Sequence, residues 1–242
     1  MAGLTSGGPN VDVSLLYELN GVARQAPSWL DRAVSLAGEY GILLALVLLV
    51  LWCWRGVRRQ DEATAVESFA ALVWAPLGAG LALLVNAPLR EFVGRPRPFR
   101  QHEGLQVLDP GPGIGLAKSD FSFVSDHATL AMALGVGLFV ANRKLGLIGI
   151  GLALAEGLCR VYMGLHYPTD VIGGFALGTA VVLVLAPLAM ALLNPVVRAV
   201  AGSPRVGWLV RAKGRALPRP VGLAQPQTPP AERRTHDNDL AA

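Results

Sequence analysis

Charge is scarce in this sequence. Asp, Glu, Lys and Arg together make up 16% of its 242 residues, against 52% hydrophobic, where a soluble domain carries about 25% charged residues. That deficit, with a mean hydropathy of +0.45, excludes an ordinary soluble domain and points to helices solvated by lipid. Cysteine is scarcer still. Cys53 and Cys159 are the only two, both inside apolar segments, which argues against a disulfide framework and a metal site. Met1 to Asn10 lack the basic leader and apolar run of a cleaved signal peptide. The charge that is present is basic, +4 net, with a pI of about 9.4. Nucleic acid is one reading of such a balance, but cytoplasmic loops rich in Lys and Arg produce it equally in a membrane protein. The basic end of the chain lacks interleaved aromatics, so no nucleic-acid partner is expected. Attraction to anionic membrane lipids is the simpler account.

Apolar runs divide the chain. Residues 1–10 are Gly- and Ser-rich and read as a flexible start. Val11 to Arg24 places Val11, Leu15, Leu16 and Leu19 at helical spacing with Asp12 and Glu18 between them. This reads as an amphipathic helix at the membrane surface or on the bundle. Pro27 breaks it, and Ser28 or Asp31 is placed to cap the next helix. Five spans follow, at about Ala37–Trp54, Phe69–Leu89, Ser125–Ala141, Leu145–Val161 and Val171–Leu193, with Pro76 tolerated as a kink. Between the second and third lies Arg90 to Asp120, too irregular and too charged to cross a bilayer. The expected fold is all-α: a polytopic bundle of about five transmembrane helices plus the amphipathic helix. The membrane domain is expected over 11–197 and a disordered Pro- and Arg-rich tail over 198–242.

If the spans alternate, the basic turns at Arg55–Arg59 and Asn142–Lys144 share a side with the basic tail, and the positive-inside rule makes that side cytoplasmic. The Arg90–Asp120 stretch, the start of the third span and residues 160–170 then face outward. Arg90, Arg95, Arg97 and Arg100 violate the rule locally, and an anionic ligand explains them.

Three clusters meet on that outer face. The first runs Arg90-Glu-Phe-Val-Gly-Arg-Pro-Arg97-Pro98-Phe99; guanidinium forks fit phosphate oxygens, although headgroup binding at an interface explains the cluster taken alone. The second is Ser122-Phe-Val-Ser125-Asp126-His127. Ser125 is placed to cap a helix whose free N–H groups bind an anion, and His127 is placed to protonate a leaving oxygen. The third, Arg160-Val-Tyr-Met-Gly-Leu-His166-Tyr-Pro-Thr-Asp170, joins two apolar spans. An ordinary hairpin there holds Lys, Arg, Gly and Pro. A His four residues before an Asp puts imidazole beside carboxylate if the turn is helical, which fixes a tautomer and raises basicity. Arginines, two histidines and a helix N-terminus on one face suit phosphoryl transfer, which is mostly positioning and charge stabilisation. A cationic wall repels Mg²⁺ or Zn²⁺, so no metal or other cofactor is expected.

Arg90-x6-Arg97-Pro98, Ser125-Asp126-His127 and Arg160-x5-His166-x3-Asp170 together resemble the three-part signature of the type 2 phosphatidic acid phosphatase (PAP2) superfamily. The resemblance implies a PAP2-like helical bundle in which His166 is the nucleophile forming a phosphohistidine. It further implies that Asp170 activates His166 and His127 is the general acid, while Arg90, Arg97, Ser125 and Arg160 bind phosphate. The first position is usually Lys and is Arg90 here. Val124 and Asp126 stand where the second motif usually has Pro and Gly, and Cys159 replaces a usual Ser. Asp126, grouped with the substrate-binding residues, should cost phosphate binding unless it caps the helix or neutralises an arginine.

The Ser-Asp-His form with Arg-Pro-Arg-Pro-Phe is most similar to bacitracin-resistance type undecaprenyl pyrophosphate phosphatases. That likeness implies a bacterial plasma-membrane enzyme acting on a polyprenyl pyrophosphate at the extracytoplasmic face. Phosphatidylglycerophosphate, phosphatidic acid and other polyprenyl phosphates stay open as substrates, as does a non-catalytic binder or transporter of anionic lipid. Glu156 is a separate observation. An acid within a span needs a partner, and Arg160 lies four residues on, so Glu156 is expected to support that arginine. Gly174-x3-Gly178 is expected to pack helices within the chain.

Overall fold

The computed structural model describes residues 10–108 and 121–210. Its first helix, α1 (Val11–Gln25), is the amphipathic helix expected, with Asn10 accepting from the Asp12 N–H at 3.2 Å. Helix α2 (Ser28–Leu36) follows Pro27 and passes through one π-helical turn, Ala37–Gly41, into α3 (Ile42–Val57). The first span is therefore longer than its apolar run, continuous from Ser28 to Val57. Neither Ser28 nor Asp31 caps it. Pro27 is itself the cap position, without a side-chain bond, and Asp31 accepts instead from the Tyr162 hydroxyl at 2.8 Å and the Gln106 amide at 3.1 Å.

Helix α4 (Glu62–Val93) starts on an Asp61 cap and ends at Gly94, whose φ of +59° is a left-handed turn that suits glycine. Arg90 therefore lies in the last turn of α4 rather than in a loop, and the chain turns sharply through Arg95–Arg97 into the short α5 (Pro98–Gln101). Helices α6 (Asp126–Ala141), α7 (Arg143–Tyr162) and α8 (Pro168–Gly202) complete the bundle. Among the described residues there is no strand, only a bridge between Pro96 and Phe121.

Four helical segments, Ser28–Val57, α4, α7 and α8, are long and apolar enough to cross a membrane, and α6 is a shorter apolar helix. Helix α6 packs against α4, α7 and α8 and buries most of its length. Its Ala- and Gly-rich sequence allows that closeness. A Cβ on Gly174 would lie 2.9 Å from the Ser125 carbonyl oxygen, and one on Gly178 would lie 2.6 Å from that of Thr129. The Gly174-x3-Gly178 pair thus seats α8 on α6 within the chain. Leu46, Trp74, Leu134 and Val182 form the central core, while Leu44, Leu48, Leu77, Leu84, Val184 and Leu188 point outward. An apolar exterior of this extent is the surface of a multi-pass membrane protein.

The end of the fold differs from expectation. Residues 198–202 continue α8, and Ala201 and Val210 are buried with Val197 and Cys53. Trp54 donates to the Leu209 carbonyl at 2.7 Å, and Arg58 stacks between Trp54 and Trp208. These contacts fold the segment to residue 210 onto α3. The remainder of the expected tail, like residues 1–9 and 109–120, lies outside the described residues.

Candidate active site

Chain direction brings the chemistry to one end of the bundle. Helices α4 and α7 finish there with Arg90 and Arg160, and α6 and α8 begin there with His127 and Asp170. Arg90, Arg97, Ser125, His127, Glu156, Arg160, His166 and Asp170 are all buried. Ser125 is the N-cap of α6, accepting from the Ala128 N–H at 3.5 Å. The sequence clusters thus converge, and α1 closes over them through Leu16, packed with Ala128, Val161 and Tyr167.

His166 is oriented differently from the expected His–Asp pair. Pro168 starts α8 and Tyr167 is its cap, so His166 precedes the helix and the four-residue spacing does not stack the two side chains. Asp170 turns back to accept from the Tyr167 N–H at 2.9 Å, and its Oδ2 stands 3.8 Å from His166 Nδ1, too far for a hydrogen bond. The nearer partner of Nδ1 is the Ser122 carbonyl, at 2.9 Å. A carbonyl only accepts, so Nδ1 carries the proton and Nε2 keeps its lone pair. Burial pushes the His166 pKa down to about 4, with Arg97 and Arg160 pushing the same way and Asp170 opposing. The imidazole is therefore neutral at physiological pH, the state a nucleophile requires.

The other oxygen of Asp170 accepts from Arg95 at 2.8 Å. Arg95 also holds Asp12 of α1 at 2.6 Å and lies over the Tyr167 ring at 3.7 Å. Asp12 in turn accepts from the Thr169 N–H and hydroxyl at 2.9 and 2.7 Å. Arg97 donates to the Leu165 carbonyl at 3.4 Å, and its guanidinium faces Arg90 and Arg160 as like charges.

The wall is less cationic than the motifs imply, because carboxylates interleave with the arginines. Asp126 pairs with Arg90 and accepts from Asn86 at 2.6 Å, so it neutralises the arginine of the first motif. Asp126→Asn keeps an acceptor for Asn86 while releasing that charge. It is expected to lower KM for a phosphate-bearing lipid several-fold with little change in kcat; steady-state kinetics showing a raised KM would count against this role. Arg160 donates from Nε to Glu156 at 2.7 Å, from Nη1 to Glu39 at 3.1 Å and from Nη2 to the Gly38 carbonyl. The expected Glu156–Arg160 pair is therefore present. Glu39, Asp12, Asn86 and the Ser122 carbonyl are participants that motif reading did not assign, and Arg95, expected to meet an anionic ligand, instead joins Asp12 and Asp170.

The family model of the PAP2 superfamily matches residues 71–192, a stretch that contains the three clusters but neither Glu39 nor Asp12. The chain is 30% identical over 147 residues to the undecaprenyl-diphosphatase BcrC of Bacillus subtilis, covering 60% of this chain and 68% of that one. It is 33% identical over 178 residues to the decaprenylphosphoryl-5-phosphoribose phosphatase of Mycobacterium tuberculosis, covering 72% of this chain and 88% of that one. A solved structure, the transmembrane PAP2 type phosphatidylglycerolphosphate phosphatase from Bacillus subtilis, is similar with a TM-score of 0.49 at 22% identity, covering 74% and 86% of the two chains.

Proposed function

The chain belongs to the PAP2 superfamily and is a membrane phosphatase; from that premise we propose that it removes the terminal phosphate of undecaprenyl pyrophosphate through a phosphohistidine. The observation that carries the chemistry is the free Nε2 of a neutral, buried His166, fixed by the Ser122 carbonyl among Arg97 and Arg160. Nε2 attacks the terminal phosphorus, the P–O bond to the lipid breaks, and His127 gives its proton to the departing oxygen. Water then attacks the phosphohistidine, the P–N bond breaks, and His127 takes a proton back from that water. Arg90, Arg97 and Arg160, with the start of α6 behind Ser125, hold the phosphoryl oxygens.

The likeness to the Bacillus undecaprenyl-diphosphatase supports the pyrophosphate substrate. The longer alignment with the mycobacterial phosphatase favours a second reading, a phosphate monoester on a polyprenyl-linked sugar. Both present a terminal phosphate to the same residues. The basic ends at Arg55–Arg59 and Arg143–Lys144 support placing the site on the extracytoplasmic face.

Phosphate release from a panel of undecaprenyl pyrophosphate, a polyprenyl-phosphosugar phosphate, phosphatidylglycerophosphate and phosphatidic acid, each with and without EDTA, tests the reading. Undecaprenyl pyrophosphate is expected to give the highest kcat/KM and EDTA to leave it unchanged. Preference for another lipid overturns the substrate, and loss of activity in EDTA overturns the metal-free mechanism. A non-catalytic lipid binder would release phosphate from none of them.

A further inference from the structure

Glu39 lies outside the matched family region and within the first membrane-spanning helix. Apart from Asp31 in the first turn, it is the only acid between Ser28 and Val57, and it is buried. It sits on the π-helical turn, a distortion that frequently marks a functional position. A Cβ on the adjacent Gly38 would lie 2.8 Å from Cys159 Cβ, so glycine there lets the turn press against α7. Backbone and side chain then address one guanidinium: the Gly38 carbonyl accepts from Arg160 Nη2, and Glu39 Oε2 from Nη1 at 3.1 Å. The other oxygen, Oε1, stands 3.9 Å from His127 Nε2. One carboxylate therefore bridges the arginine and the histidine.

Holding Arg160 does not by itself call for Glu39. Glu156 already supplies a counter-ion at the shorter distance of 2.7 Å, and a second buried acid leaves the group one negative charge in excess. A proton on His127 restores neutrality. The other groups facing His127 are Arg160 from α7, Arg97 from the segment after α4, and His166 from the turn before α8, none of which attracts a proton there; Glu156 faces Glu39 across Arg160. At 3.9 Å the Glu39–His127 pair acts through charge, which leaves the imidazole N–H available to a leaving oxygen.

We propose that Glu39 is a positioning residue for the phosphatase reaction, one oxygen holding His127 in its proton-bearing form and the other aligning Arg160 on the phosphate. This rests on the reading of His127 as general acid. Glu39 stays ionised while His127 loses its proton to the leaving oxygen and regains one from water. The dependence should be steeper for a sugar-alcohol leaving group, which needs the proton more than a lipid phosphate does.

The test is the pH profile of kcat for purified full-length protein in detergent, with the lipid that the panel shows to be turned over. Glu39→Gln is expected to move the high-pH limb down by about one to three units, with the rate below that limb lowered by a smaller factor than the rate above it. Glu39→Asp, with its charge set back by one methylene, should fall between the two. A loss by the same factor at every pH, with the limb unmoved, overturns the proposal and leaves Glu39 a packing partner of Arg160. If Glu39→Gln does not fold, Glu39→Asp decides: an unmoved limb overturns the proposal. The underlying readings fail separately. Wild type that releases no phosphate from any lipid defeats the phosphatase reading. A His127→Asn variant that keeps both rate and limb defeats the acid assignment. Only a His127→Asn variant that loses the limb, beside a Glu39→Gln variant that keeps it, defeats the Glu39 role alone.

Discussion

His166→Ala should stop turnover while lipid still binds, with a fall in kcat of about 10⁴-fold or more, the scale on which a covalent nucleophile is missed. The size follows from the chemistry assigned to one atom. His166 is presented with its distal nitrogen free, because its Nδ1 is tied to the Ser122 carbonyl at 2.9 Å. Two measurements check it. Acid-quenched reactions with labelled substrate should trap a phosphoenzyme in wild type and none in the variant, and lipid binding should change little. A trapped phosphoenzyme in His166→Ala would move the nucleophile elsewhere. Wild type should also show a low-pH limb in kcat/KM near pH 4, since burial holds the His166 pKa at about 4. Above that value Nε2 is free to attack; as pH falls through it, protonation removes the lone pair and activity is lost. A limb at the ordinary histidine value of about 6.5 would mean that the imidazole is more solvated than the structure has it.

Arg160→Ala should be the most destabilising single change in the site as well as an inactivating one. The guanidinium is 1% exposed and holds Glu156, Glu39 and the Gly38 carbonyl together. Its removal leaves two buried carboxylates without their cation, a loss of about 3–5 kcal/mol on the scale of broken buried ion pairs. The phosphate loses a charged donor, which costs about 10²- to 10³-fold in kcat. Thermal denaturation in detergent separates the two effects. Arg160→Met combined with Glu39→Gln and Glu156→Gln removes all three charges and should recover part of the lost stability, because a buried amide costs far less to desolvate than an unpaired carboxylate. It should recover none of the activity. If Arg160→Ala melts with wild type, the carboxylates are protonated or hydrated and the charge balance assigned to this cluster is wrong.

Much of this site is legible in one sequence because its groups sit at the ends of apolar runs, where hydropathy alone fixes which ends share a face. That is how Arg90, His127 and Arg160 fall together despite large separations along the chain. The misreadings have physical causes. Four-residue spacing means a shared helix face only inside a helix, and Pro168 starts α8 after His166, so Asp170 accepts from the Tyr167 N–H and stands 3.8 Å from the imidazole without a hydrogen bond to it. The group that does grip it, the Ser122 carbonyl, is backbone and leaves no mark in residue type. Glu39 falls under the rule that singles out Glu156, an acid inside a span needing a partner. The apolar run begins near Ala37, which makes position 39 look like an edge, whereas the helix begins at Ser28. The segment after Arg198 reads as tail by composition, yet Trp208 and Val210 fold back because they find Trp54 and the end of the core.

The α1 helix, with 15 residues, is shorter than the four segments long and apolar enough to cross a membrane, yet its Asp12 accepts from Thr169 and Arg95, and Arg95 also donates to Asp170. The geometry at the start of α8 is thus tethered to the first helix of the chain. An affinity tag, an antibody or a protease acting on the first two dozen residues would act on the site at one remove, through the start of α8. The placement of a fusion partner on this chain is for that reason a choice about catalysis as much as about handling.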